Sequence, residues 1–232
     1  MMRYMGGKLR HSKAIAELIE SYRKPGQAYF EPFCGGAWVL GKVSGERFAS
    51  DTNEALITYY KAIQDGYVPP DSISEQEYKD IKSKQDVKDP VTAFALICCS
   101  WGAKWAGGYA RDSIGRNYAA QAKETCLKHR NSIDGVLFYN RSYTYFKPFN
   151  EIIYADPPYE NTTKYSGDHF NHAEFWNTMR EWSKTNTVLI SEYKAPDDFV
   201  CIKEFDHYQS LRSKYGSLKT KEKVFIHESL AR

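Results

Sequence analysis

Between Ala28 and Gln64 the sequence alternates short apolar runs with tight turns and helical spacings, and this cadence restricts the possible folds more than any other feature. Ala28 to Glu31 reads as a short strand running into Pro32, Phe33-Cys34-Gly35-Gly36 as a tight turn, and Ala37 to Val43 as a helix. Arg47 to Ser50 reads as a second strand ending at Asp51. Asp51 or Thr52 stands where it can cap a helix from Asn53 to Gln64, whose Leu56, Ile57, Tyr60 and Ile63 share one face. An earlier helix, His11 to Arg23, repeats Ile15, Leu18, Ile19 and Tyr22 at helical spacing and stops at Pro25-Gly26. Strand, turn, helix, strand, helix at these lengths predicts a parallel α/β sheet.

The pattern then breaks. Gly66 to Ser72 contains Pro69-Pro70 and marks a boundary. Ser74-Glu75-Gln76-Glu77 has the form of a capping box, and Asp89-Pro90 opens a helix expected to run through Val91 to Cys99. Trp101 to Asn117, rich in glycine, aromatic and basic residues, reads as a loop or hairpin, and Tyr118 to Asn131 as a helix. Strand signals resume at Val136–Tyr139 and Glu151–Ala155. They continue after a helix at Glu174–Lys184 with Thr187–Glu192, Val200–Phe205 and Lys223–His227. Residues 1–66 and 134–232 are therefore expected to form one α/β domain, interrupted by a mainly helical insertion at 67–133.

Net charge is only +3, so any nucleic-acid affinity must come from local basic patches rather than bulk charge. Five cysteines, an odd number with Cys98 and Cys99 adjacent and no C-x-x-C pair, fit buried reduced thiols better than disulfides or zinc, and no metal site is expected. No apolar run approaches the ~18–20 residues of a membrane span, and the start MMRYMGGKLRHSK has no apolar core of a signal peptide. A cytoplasmic protein without a membrane partner is expected.

In open parallel sheets, ligands bind beyond the carboxyl ends of the strands. Three such ends carry informative residues. The first is Glu31 to Ala37, whose glycines let a backbone approach closely. It has neither the complete G-x-G-x-x-G nor a Gly-Lys-Ser/Thr ending, which disfavours dinucleotides and triphosphates. The second is Asp51, which suits a ribose diol as well as a helix cap. The third is Asp156-Pro157-Pro158-Tyr159, directly after the apolar run Ile152 to Ala155. Prolines cannot extend a ladder, so the chain must turn there and present a carboxylate beside a flat ring.

Taken together, these stretches resemble the D12-class DNA adenine-N6 methyltransferases of bacteria and phages. Tyr4-Met5-Gly6-Gly7-Lys8 is similar to the family's N-terminal cofactor motif. Glu31 to Ala37 is similar to its glycine motif, with Ala37 where a third glycine is common. Asp51-Thr52-Asn53 matches the ribose motif, Asp156 to Tyr159 the catalytic DPPY, and Ser191-Glu192-Tyr193 a later strand-end element.

The resemblance implies a class I S-adenosylmethionine-dependent fold, Rossmann-like and mostly parallel with helices on both faces. It also implies S-adenosylhomocysteine as product and a flipped adenine in double-stranded DNA as acceptor. It assigns catalysis to Asp156, Pro157, Pro158 and Tyr159. Cofactor contacts fall to Tyr4, Gly6, Gly7, Lys8, Glu31, Pro32, Phe33, Cys34, Gly35, Gly36, Ala37, Asp51, Thr52, Asn53 and Asp156. The insertion stands at the family's target-recognition position. Its Lys104, Trp105, Tyr109, Arg111, Arg116 and Asn117 combine cations, an amide and rings suited to DNA, and Tyr165 lies in a polar stretch, Asn161 to Gly167, expected to close over the base. Arg212, Lys214, Lys219, Lys221 and Lys223 form a second basic stretch facing phosphates or solvent. A monomer or weak dimer is expected. The alternatives are a silent DNA-binding module with this fold, or methylation of another planar amine such as cytosine or RNA adenine.

Overall fold

Side chains alternate between two apolar layers along the central strands, and this alternation sets the architecture. The computed structural model describes residues 2–160, 170–208 and 219–231. Its strands are β1 (Tyr29–Glu31), β2 (Arg47–Asp51), β3 (Leu137–Asn140), β4 (Ile152–Ala155), β5 (Thr187–Glu192), β6 (Phe199–Tyr208) and β7 (Lys219–His227). They form one seven-stranded sheet in the order β3-β2-β1-β4-β5-β7-β6. β1 to β5 pair in parallel, with Phe30 opposite both Phe48 and Ile153, while β7 runs antiparallel to β5 and β6. This is the expected class I α/β fold, mostly parallel with an antiparallel hairpin at one edge.

β1, β4 and β5 are buried at every position, as strands covered on both faces must be. Tyr29, Ile152, Tyr154 and Leu189 point into one cluster, which takes in Ile15 and Ile19 of α1 (Ser12–Tyr22) and Leu56, Tyr59, Tyr60 and Ile63 of α2 (Glu54–Gln64). Phe30, Ile153, Ala155, Val188 and Ile190 point the other way, onto the far-side helix at His172–Ser183, through its Phe175, Met179 and Trp182.

The 67–133 segment has no separate core. Its helices α3 (Glu75–Lys84), α4 (Pro90–Ala93) and α5 (Tyr118–His129) place Tyr78, Ala93 and Cys126 in the same cluster as α2. The capping box forms as expected: Ser74 Oγ accepts from Glu77 N at 3.2 Å and Glu77 Oε2 accepts from Ser74 N at 2.7 Å. Trp101 to Asn117, expected as a loop or hairpin, begins inside a turn closed by an antiparallel bridge between Ser100 and Tyr109. The far-side helix, His172–Ser183, is α6.

Three local expectations are corrected. Ala37 to Val43 is not a helix; only Leu40–Lys42 makes a 3₁₀ turn. Ala37 takes a left-handed conformation, φ 56°, which cannot begin a right-handed helix. The helix opened by Pro90 changes at Phe94 to a π-helical turn, Phe94–Cys98, before Cys99. Every residue of that turn is buried, so core packing on all sides decides its winding. The cap of α2 is Asn53, whose side chain accepts from Leu56 N at 3.3 Å; Asp51 is turned toward the glycine loop instead. Asn53→Ala is expected to cost about 1 kcal/mol, lowering Tm by about 2–4 °C for a chain of this size, as read by thermal unfolding.

Candidate active site

Strand order reverses between β1 and β4: the chain builds outward through β2 and β3 on one side and through β5 on the other. A crevice opens where neighbouring connections leave in opposite directions, beyond the carboxyl ends of those strands. Glu31, Asp51, Asp156 and Glu192 all stand at that level, each within one residue of a strand end.

The loop after β1 is held from several directions. Cys34 N donates to Ser50 O at 2.9 Å, Ser50 Oγ to Pro32 O at 3.2 Å and Tyr60 Oη to Gly35 O at 2.7 Å. Asp51 uses both oxygens on backbone, Oδ2 accepting from Gly35 N at 3.1 Å and Oδ1 from Asn53 N at 2.9 Å. Burial raises its carboxyl above the usual range, and those backbone donors oppose the shift. Gly35 has φ 39°, and a Cβ there would lie 3.2 Å from the Tyr4 ring; at Gly36 it would meet Met2 O at 3.0 Å. The glycines thus admit the N-terminal segment itself, which lies across the loop and brings Tyr4 to Lys8 into the crevice. The left-handed φ of Ala37 explains why glycine suits that position. Glu31, 3% exposed, accepts from Tyr29 Oη at 2.8 Å. Burial pushes its carboxyl up to about 8, against the pull of that hydroxyl.

Asp156 leaves the end of β4 and meets Lys8, whose Nζ is 2.7 Å from its Oδ1. The same ammonium lies 2.7 Å from Glu222 Oε1 on β7 and 4.8 Å from the Tyr159 ring centroid. Tyr159 Oη donates to Glu222 Oε1, and its ring meets Tyr193 edge-on with centroids 4.9 Å apart. Burial alone would lower the Lys8 pKa, but Asp156 and Glu222 together hold it above the ordinary lysine value. Asp156 is pushed up to about 6: burial leads, Lys8 opposes and the Glu222 charge adds to the rise. The shared ammonium opposes the rise at Asp156 without cancelling it. Glu192, next along the strand ends, is pushed up to about 8 by burial and accepts from Glu160 N at 3.2 Å.

The glycine loop and the DPPY turn face one continuous cavity of about 1420 Å³. Every expected cofactor and catalytic residue lines it, from Tyr4, Gly6, Gly7 and Lys8 through Glu31 to Ala37, Asp51 to Asn53, and Asp156 to Tyr159. Its volume exceeds the ~300–1,000 Å³ of common small-ligand sites, leaving room for a donor and a second reactant. A nucleoside donor fits the groups present: a carboxylate fixed at the end of β2 for a diol, and aromatic and apolar walls from Phe33, Trp38 and Tyr143.

The expected DNA residues divide. Trp105 lines the cavity beside Tyr118 and Gln121 of α5. Lys104 is exposed outside it. Tyr109 is half-buried and donates to Ile73 O at 2.7 Å. Arg111 pairs with Glu75 at 2.7 Å and Arg116 with Asp112 at 3.1 Å, both arginines on the surface. Asn117 is engaged in structure: it caps α5 by accepting from Ala120 N and donates to Asp71 O, both at 2.9 Å. Tyr165 and the Asn161 to Gly167 stretch lie outside the described residues, as do Arg212, Lys214 and the Lys219 side chain. Lys221 and Lys223 both pair with Glu204.

Sequence reading missed Glu222. The signal was present: in Lys221-Glu222-Lys223-Val224-Phe225-Ile226, Glu222 shares strand phase with Val224 and Ile226, both fully buried. A carboxylate in the inward phase of a strand needs a partner, and its partners come from the other end of the chain.

No curated protein matches the sequence. Among solved structures, the chain is similar to SMU.472 complexed with SAH, a protein provisionally called a methyltransferase. The likeness has 12% identity and a TM-score of 0.33, and it covers 96% of this chain. The chain spans about half, 54%, of the length of that protein. Residues 4–95, which include the N-terminal segment, the glycine loop and Asp51, match the family model of the D12 class N6 adenine-specific DNA methyltransferases.

Proposed function

We propose that this chain transfers a methyl group from S-adenosylmethionine to the exocyclic N6 amine of an adenine drawn out of double-stranded DNA. The observation that carries the proposal is the single cavity that joins the Asp51-anchored glycine loop to the Asp156–Tyr159 turn. Residues 4–95, similar to adenine-specific enzymes, supply the donor half of that cavity. Tyr4, the glycine loop and Asp51 hold the donor, which when bound supplies an electrophilic methyl on a sulfonium. Segment 67–133, with Trp105 on the cavity wall, takes the DNA side.

An adenine within a duplex is out of reach, and extrusion costs a few kcal/mol. Stacking on Tyr159 returns ~1–3 kcal/mol. The amine is a weak nucleophile because its lone pair delocalises into the ring. Asp156 and the carbonyl of Pro157 accept its two hydrogens, which favours a more tetrahedral nitrogen and stabilises the positive charge growing there. Pro157 and Pro158 keep that carbonyl rigid because their φ angles are locked.

The carboxylate form of Asp156 is the working form, so its raised pKa has a direct consequence. As pH falls through about 6 the group is protonated, its charge is lost, and kcat/KM for transfer is expected to fall about tenfold per unit below that value. A pH–rate profile of the free enzyme measures this; a flat profile from pH 5 to 8 contradicts the role.

The test of the function is label transfer from methyl-tritiated donor to duplex DNA, RNA and protein, followed by nucleoside analysis. N6-methyladenine in DNA is the expected product. Label in cytosine or RNA alone replaces the substrate, and donor binding without transfer to any of them favours a silent binding module.

A further inference from the structure

Lys8 lies over the ring of Tyr159, the ring on which the proposed function stacks a base. Its ammonium is 4.8 Å from the ring centroid and 2.7 Å from Asp156 Oδ1. An amine that donates to Asp156 while its ring covers Tyr159 needs that same space. Lys8 must therefore give up Asp156 when the target enters, and a buried ammonium stripped of partners is strongly unfavourable. Two other acceptors already surround it: Glu222 Oε1 at 2.7 Å and Gly6 O at 3.3 Å.

Glu222 is 4% exposed and sits on β7, an antiparallel strand that reaches the crevice from the far end of the chain. Its Oε1 meets both the Lys8 ammonium and the Tyr159 hydroxyl. One carboxylate thus fixes the ring and anchors the cation that covers it. Charge interactions in a buried site are poorly screened, so the Glu222 carboxylate keeps a strong hold on the ammonium.

We propose that Glu222 is a positioning residue, which locks the Tyr159 ring and holds Lys8 as its ammonium leaves Asp156, so that Lys8 acts as a latch over the acceptor site. The inference rests on the adenine reading of that site. Without Glu222, Lys8 stays on Asp156 and competes with the incoming amine, while the donor half of the cavity is untouched.

The test uses the full chain and the variants Glu222→Gln, Lys8→Met and the two combined. Single-turnover transfer to duplex DNA is measured beside donor affinity by calorimetry. Acylation of Lys8 in the free protein is followed by mass spectrometry. Glu222→Gln is expected to slow transfer by at least about tenfold, the scale of a misplaced reacting group, with donor affinity little changed and Lys8 acylated faster. The double variant is expected to lose less than the product of the two single losses, because the competing ammonium is gone. Wild-type transfer in Glu222→Gln, or losses that simply multiply, overturns the proposal. Should Glu222→Gln not fold, Tyr159→Phe removes the hydroxyl that bonds Glu222 and also reaches Asp156; it is expected to lower kcat and to speed Lys8 acylation while donor affinity holds, and an unchanged kcat or an unchanged acylation rate is the contrary result. If the wild type methylates no DNA, the adenine reading falls, and Lys8 acylation then decides the latch: equal rates in wild type and Glu222→Gln overturn it.

Discussion

Asp156→Asn is expected to lower kcat by about 10²–10³-fold, the scale on which removing one preorganised stabilising group acts, while leaving donor affinity within a few-fold of wild type. The substitution keeps the shape and one acceptor oxygen, so the amine can still dock. What is lost is the negative charge facing the nitrogen as it becomes positive. Asp156 is half-buried and the Lys8 ammonium beside it is already shared with Glu222, so no neighbouring carboxylate replaces it without moving. The glycine loop, where the proposed function places the donor, is anchored separately, through Asp51. Single-turnover transfer and calorimetric titration with S-adenosylhomocysteine separate the two effects. Near-wild-type turnover in Asp156→Asn sinks the mechanism.

Asp51→Ala is expected to do the reverse. It removes the acceptor of Gly35 N and Asn53 N, and each lost bond to a charged group is worth about 1.5–3 kcal/mol. The Gly35 N–H is left without its partner in a loop that must hold a left-handed glycine close to the Tyr4 ring. Donor affinity is therefore expected to fall at least about a hundredfold, the equivalent of about 2.7 kcal/mol, with kcat at saturating donor far less affected. The cap of α2 survives, because Asn53 makes it, so a large loss of helix is not expected. Asp51→Asn keeps one acceptor oxygen and is expected to fall between wild type and alanine. Calorimetry reads the affinities; an unchanged affinity in Asp51→Ala removes Asp51 from the donor site.

Much of this site was legible because its parts are local in the chain. A strand that ends in Asp-Pro-Pro-Tyr must turn there, since proline has no donor to continue a ladder. The two short strands of residues 28–51, followed by the helix to Gln64, likewise point to a parallel sheet, and a parallel sheet puts its strand ends on one edge. Where the reading of 37–43 failed, a local rule met a tertiary demand: Ala37 N donates to Cys34 O and Ala37 is held at a left-handed φ of 56°, so a right-handed helix does not start there. Asn117 illustrates the opposite case. Its amide suits an adenine edge, yet in the fold both of its ends are taken by α5 and Asp71.

By itself the chain determined its α/β class, its glycine loop and the DPPY turn, because backbone freedom, hydrogen-bonding capacity and apolar period are properties of neighbouring residues. Only the tertiary structure decided that Lys8 and Glu222, separated by almost the whole sequence, close around Asp156 and Tyr159. The physical reason is that a buried charge is defined by its partners, and those partners are delivered by strand order, which reverses between β1 and β4 and brings β7 back alongside β5.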